Sequence, residues 1–95
     1  TGQPVGGDRA VLQQLVADGA LRAVFQPIVD FRIRGILGYE ALIRGPAGTP
    51  LEYPQHLFEH ARSAGEAAWF EHQCRAVSLR AFAELRLPGR LFLNV

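Results

Sequence analysis

ILGYEALIRG, residues 36–45, reads as a β-strand. Side chains alternate along a strand, so Ile36, Gly38, Glu40, Leu42 and Arg44 share one face and Leu37, Tyr39, Ala41 and Ile43 the other. The second face is wholly apolar and suits packing against helices. The first carries a carboxylate and a guanidinium, two residues either side of Leu42. A charge on an inward face is costly unless something pairs with it or coordinates it. This face therefore closes an internal ion pair or addresses a ligand, and the residue types alone leave both open.

Immediately upstream, AVFQPIVD at residues 23–30 is a second strand, with Val24, Gln26 and Ile28 on one face. Pro27 cannot donate to a ladder, so this strand has at least one weakly paired side. Residues 31–35 form a short turn with a closing glycine. So short a link permits only an antiparallel hairpin, because a parallel partner needs a crossover of a dozen or more residues. A symmetric register sets Gln26 opposite Glu40 on the same face.

Farther upstream, residues 1–7 are polar and glycine-rich and read as a linker or frayed end. Asp8 is a candidate N-cap for a short helix carrying Val11, Leu12, Leu15 and Val16, which Gly19 can end. Downstream of the hairpin, GPAGTPLEYP has loop chemistry. A helix then runs from about Pro54 to Ala64, with Leu57, Phe58 and Ala61 as its buried stripe and Gly65 as its stop. The next runs from about Glu66 to Leu85, with Phe70, Cys74, Val77, Ala81, Phe82 and Leu85 at three- and four-residue spacing. Leu87-Pro88-Gly89 is a turn. RLFLNV, residues 90–95, is a third strand, with Phe92 and Asn94 sharing a face.

The element order is thus α-β-β-α-α-β. Helices between the last two strands predict a parallel crossover and hence an α/β sheet or barrel. With the last two strands parallel, Gln26, Glu40, Arg44 and Asn94 converge toward one rim, where α/β barrels place their active sites. Glu and Asn offer the hard oxygens that Mg²⁺ or Mn²⁺ prefers. Arg offers a fork for phosphate, and Gln can donate to and accept from the edge of a base. A structural Glu–Arg pair and a turn Asn remain the plainer alternative.

Composition narrows the classes. Formal charge is +1 and the ten basic residues are scattered, which argues against a DNA or RNA partner. No apolar run approaches a membrane span, and no signal peptide is legible, so membrane contact is not expected of this segment. The chain has no Met and reads as a segment of a longer polypeptide. Its single cysteine cannot form an internal disulfide, which fits a reducing, cytoplasmic compartment. Cys74 lies on a buried stripe and reads as core, as do Trp69 and Phe70; His72 reads as an exposed helix residue. His56-Leu57-Phe58-Glu59-His60 spells H-x-x-E-H, an inverted zinc-protease signature. The plainer reading is a solvent-facing helix surface, and it is preferred here.

In order, Gln26-Pro27-Ile28, Glu40-Ala41-Leu42-Ile43-Arg44, Pro54 with Leu57-Phe58, and Leu91-Phe92-Leu93-Asn94-Val95 resemble the opening of an EAL domain, the bacterial cyclic di-GMP phosphodiesterase module. The resemblance covers about residues 20–95. It implies a (βα)8 TIM-type barrel with an antiparallel first strand, incomplete here, of which residues 8–95 are the N-terminal third. It implies that Glu40 and Asn94 are catalytic and hold a divalent metal, Mg²⁺ or Mn²⁺. It implies that Arg44 contacts a phosphate of cyclic di-GMP and that Gln26 and Leu42 lie on the substrate surface. The family reaction is metal-assisted hydrolysis of cyclic di-GMP to linear pGpG. The family's paired aspartates and catalytic lysine have no counterpart in these 95 residues, so the isolated chain is expected to be inactive. The alternatives are a degenerate EAL domain that binds cyclic di-GMP without cleaving it, and a barrel fragment that self-associates through open sheet edges.

Overall fold

The computed structural model describes residues 5–93, with side chains from Arg9 onward. The elements run α1 (Val5–Ala17), β1 (Arg22–Asp30), β2 (Gly35–Arg44), α2 (Pro54–Ser63), α3 (Ala67–Leu85) and β3 (Arg90–Phe92). The order is the one the sequence pattern predicts. The first helix begins earlier than expected, at Val5, so Asp8 lies inside α1 and is not its N-cap.

Two helix ends follow directly from glycines. Gly19 has φ +69°, the Gly19 N–H donates to the Val16 carbonyl, and the Ala20 N–H donates to that of Leu15. Gly65 has φ +70°, with its N–H on the Arg62 carbonyl and that of Glu66 on Ala61. Each pair satisfies carbonyls that the last turn leaves open, and a left-handed residue without a Cβ makes the geometry cheap. At the start of α2, Pro54 occupies the first turn, where its missing N–H costs nothing.

The three strands form one sheet in the order β1-β2-β3. β1 and β2 pair antiparallel with Gln26 opposite Glu40, the symmetric register. The ladder shifts between Ile28 and Val29, and the turn is closed by Arg34 at φ +51°. β2 and β3 pair parallel, Gly38 with Arg90, Tyr39 with Leu91 and Glu40 with Phe92. The described part of the third strand is thus Arg90–Phe92; Asn94 and Val95 lie outside the described residues.

The helices cover one face of the sheet. Leu12 and Leu15 of α1, Leu57 and Ala61 of α2, and Phe70 and Cys74 of α3 meet Leu21 and Ile43 in one apolar cluster. Phe70 is fully buried and meets Phe58 edge-on at 5.2 Å between ring centroids. Phe82 of α3 packs between Phe25 of β1, at 5.7 Å, and Tyr39 of β2, at 6.2 Å. The aromatic bodies lock α3 onto the hairpin. The expected stripes hold in their centres and fail at their ends. Val11 and Leu85 are exposed, whereas Ser78, not expected inside, is buried. Arg9 staples α1 to the α2–α3 junction: its Nε lies 2.7 Å from Glu66 Oε1, and its guanidinium donates to the Ala64 carbonyl at 3.4 Å. Among the described residues, no helix is long and apolar enough to cross a membrane.

Candidate functional site

Alternation along β1 and β2 puts Phe25, Tyr39, Ala41 and Ile43 toward the helices, and therefore Gln26, Glu40, Leu42 and Arg44 on the opposite face. The antiparallel register sets Gln26 and Glu40 directly opposite each other, and Leu42 opposite Val24. Gln26 is exposed; Glu40, Leu42 and Arg44 are half-buried. The structure therefore brings Gln26, Glu40 and Leu42 onto one patch. Asn94, the second expected oxygen donor, lies outside the described residues.

Arg44 stands apart from the carboxylate. It lies four positions from Glu40, roughly 13 Å along the strand. Among the described residues no ion pair joins the two. The internal Glu–Arg pair that the residue types allowed is thus not what holds this face. Instead the Arg44 guanidinium donates to the Ile43 carbonyl at 2.9 Å and lies 5.5 Å from the centroid of the Tyr53 ring. A guanidinium over an aromatic face is attracted by the ring's electron-rich centre. That contact holds Arg44 at the C-terminal end of β2. Glu40 makes no hydrogen bond or ion pair with any described side chain, so its carboxylate is free to accept a ligand.

Tyr53 is positioned by a loop with internal order. The Gly45 N–H donates to the Glu52 carbonyl at 2.8 Å, and that of Gly48 to Glu52 Oε1 at 2.9 Å. Thr49 Oγ1 donates to the Pro46 carbonyl at 2.7 Å. Gly45 is required here, because a Cβ would strike the Leu51 carbonyl.

Two features of this face were missed from sequence. One is Tyr53 beneath Arg44. The other is the seat of Phe92: a Cβ at Gly38 would lie 2.7 Å from Phe92 Cε2 and against the Arg90 carbonyl. Phe92, opposite Glu40 in the parallel register, therefore leans back over the bare backbone of Gly38. A glycine inside a strand often marks such a close approach, and that signal could have found it.

The remaining reactive groups lie elsewhere. Cys74 is buried, as its place on the helix stripe predicts, and burial pushes its thiol from 9.0 up to about 12, with Glu71 adding to the rise and Arg75 opposing it. His72 is exposed, as expected. On α2, His56 Nδ1 lies 4.0 Å from Glu59 Oε2. Among the described residues no three His, Cys, Asp or Glu side chains gather as a metal would need.

No protein-family model matches the chain, and no curated protein matches it in a sequence search. Among solved structures it is similar to the crystal structure of the FimX EAL domain from Pseudomonas aeruginosa bound to c-di-GMP. The TM-score is 0.67 at 29% identity, over 90% of this chain and 35% of that one. The chain spans about a third of the length of that structure, and over that part its fold is EAL-like.

Proposed function

We propose that this chain is a segment of a cyclic di-GMP-directed EAL-type domain, in which Gln26, Glu40, Leu42 and Arg44 form part of the dinucleotide surface. The observation that carries the reading is the Gln26–Glu40 pair on the face away from the helices, with an unpartnered carboxylate at its centre. The likeness to a domain crystallised with c-di-GMP supports the ligand. Arg44, held by Tyr53, offers its guanidinium to a phosphate; Gln26 offers both a donor and an acceptor to a base edge. The reading places the domain in the cytoplasm, where a lone thiol stays reduced.

The family activity would need Mg²⁺ or Mn²⁺ held by Glu40 with Asn94. The described residues by themselves do not fit such an ion, because Glu40 is a single carboxylate with no clustered acidic or imidazole neighbours. Hydrolysis therefore requires ligands from outside these residues, and the 95-residue chain alone is inactive. A pGpG-release assay with Mg²⁺ or Mn²⁺ should show no turnover above a Glu40→Ala control.

The binding surface is tested by titrating cyclic di-GMP into the labelled chain at millimolar concentration and following amide shifts by NMR. Shifts should cluster at Gln26, Glu40, Leu42 and Arg44 and shrink in Arg44→Ala. Shifts confined to the helices, or none at all, overturn the reading.

A further inference from the structure

One end of the molecule is both apolar and cationic. The turn between β1 and β2 reads Phe31-Arg32-Ile33-Arg34. Phe31 is 88% exposed and Ile33 66%, and Val29, Ile36 and Leu37 at the flanking strand ends are exposed as well. None of them joins the apolar cluster beneath the helices. Large apolar side chains gathered at the surface mark a contact site when polar groups rim them.

Arginine supplies the rim. β2 and β3 run parallel with Gly38 paired to Arg90, and a Cβ on Gly89 would lie 3.3 Å from the Leu37 carbonyl oxygen. The α3–β3 turn therefore lies against the base of the hairpin and brings Arg86 and Arg90 to the same end as Arg32 and Arg34. Four of the ten arginines, scattered along the sequence, meet there, and all four are exposed. Two carboxylates oppose them, Asp30 and Glu84. Asp30 is engaged: its Oδ1 accepts from the Arg32 N–H at 2.9 Å and lies 3.5 Å from Arg32 Nε. That contact orders the turn. Among the described residues no ion pair holds Arg34, Arg86 or Arg90, so the end is net cationic.

We propose that this end is a contact site for an anionic lipid surface, with Phe31 and Ile33 inserted among the headgroups and the arginines on the phosphates around them. The charge selects an anionic partner. The shape selects a bilayer over a protein. A four-residue turn with its apolar side chains outermost has no groove for a partner's side chain, and buries its own in a soft surface. Arginine lays its apolar stem along such a surface and keeps its guanidinium among the phosphates. Binding of this kind sums buried apolar area and attraction to anionic lipid. The proposal departs from the expectation of no membrane contact, which rested on the length of apolar runs; a surface contact needs no spanning helix. It is independent of the ligand reading. Arg44 stands nine positions from Gly35, roughly 30 Å along β2, so the Arg44 end of the dinucleotide surface stays clear of the bilayer.

The full 95-residue chain is tested by flotation with vesicles of phosphatidylcholine alone and with about one-third phosphatidylglycerol. It should bind the anionic vesicles about tenfold more tightly, and weaken several-fold as NaCl rises from about 0.05 to about 0.5 M. The double variant Phe31→Ser, Ile33→Ser should lose most of the binding, and Arg34→Gln with Arg86→Gln should weaken it several-fold. Circular dichroism should not change in either, because all four side chains are exposed. Phe31→Trp should shift its emission to the blue on anionic vesicles and be quenched by brominated acyl chains, with the parent chain giving the Trp69 background. No binding, equal binding to both vesicle types, or binding that the Phe31, Ile33 double variant keeps overturns the proposal. So does a Phe31→Trp chain that the brominated lipid leaves unquenched. A dimer seen by sedimentation velocity without lipid, and lost in the same double variant, also overturns it and gives this end to a second copy.

Discussion

The two faces of the hairpin are made of the same two strands and live in different physical regimes. On the helix side, Phe25, Tyr39, Ala41 and Ile43 are packed by Phe82 and the α1–α3 cluster. On the other side, Gln26 and Glu40 face each other, and Arg44 turns to Tyr53. The first face stabilises the chain by excluding water. The second holds polar groups that contribute little to folding and keep their bonding capacity for something else. A sheet can thus separate stability from recognition by nothing more than the alternation of its side chains.

That contrast can be broken first at the packed face. Phe70→Ala removes the largest fully buried side chain and should cost about 3–5 kcal/mol, measured by urea unfolding. A loss below about 1 kcal/mol would mean that the helix layer is not the source of stability. Next comes the seam between the faces. Gly38→Ala drives a methyl against the Arg90 carbonyl and the Phe92 ring and should cost about 1–3 kcal/mol. Amide exchange should show β3 released before the β1–β2 hairpin; simultaneous release would mean that Gly38 does not control the seat of β3.

Smaller effects sharpen the comparison. Arg9→Ala breaks a half-exposed ion pair and should cost about 1 kcal/mol or less, with the loss fading in salt. Glu40→Gln should change stability by no more than about 0.5 kcal/mol, because no described side chain depends on the charge. A loss of about 2 kcal/mol or more would reveal a structural role for this carboxylate. The last effect appears only in alkali. The folded-state pKa of Cys74 is raised, from 9.0 to about 12, so its stabilising contribution is constant below pH 9 and declines as pH climbs from 9 toward 12. Cys74→Ala should flatten the stability profile in that window; an unchanged slope would assign the decline to other groups.

What could be read from the chain was local. The short link between residues 30 and 35 forced the hairpin, and the symmetric register then placed Gln26 against Glu40. Gly19 and Gly65 stop their helices by the conformation that only glycine adopts cheaply. What could not be read joins distant residues. Arg9 meets Glu66 across 57 positions, and no periodicity in either helix marks that contact. Gly6 and Gly7 are poor helix formers and point to a later start, yet α1 extends back to Val5. Ser78 is buried on the side of α3 that looks toward Ala41 and Ile43 of β2, a placement its neighbours in sequence do not reveal.

By itself, the amino-acid order settled which face of each strand is apolar and where the backbone must turn, because both depend on side-chain alternation and on single-residue conformational limits. The tertiary structure alone decided that Arg44 goes to Tyr53 and not to Glu40, and that Phe92 lies back on Gly38. Those outcomes depend on how a loop and a third strand return to the hairpin. They are set by distances through space, which separation along the chain does not encode.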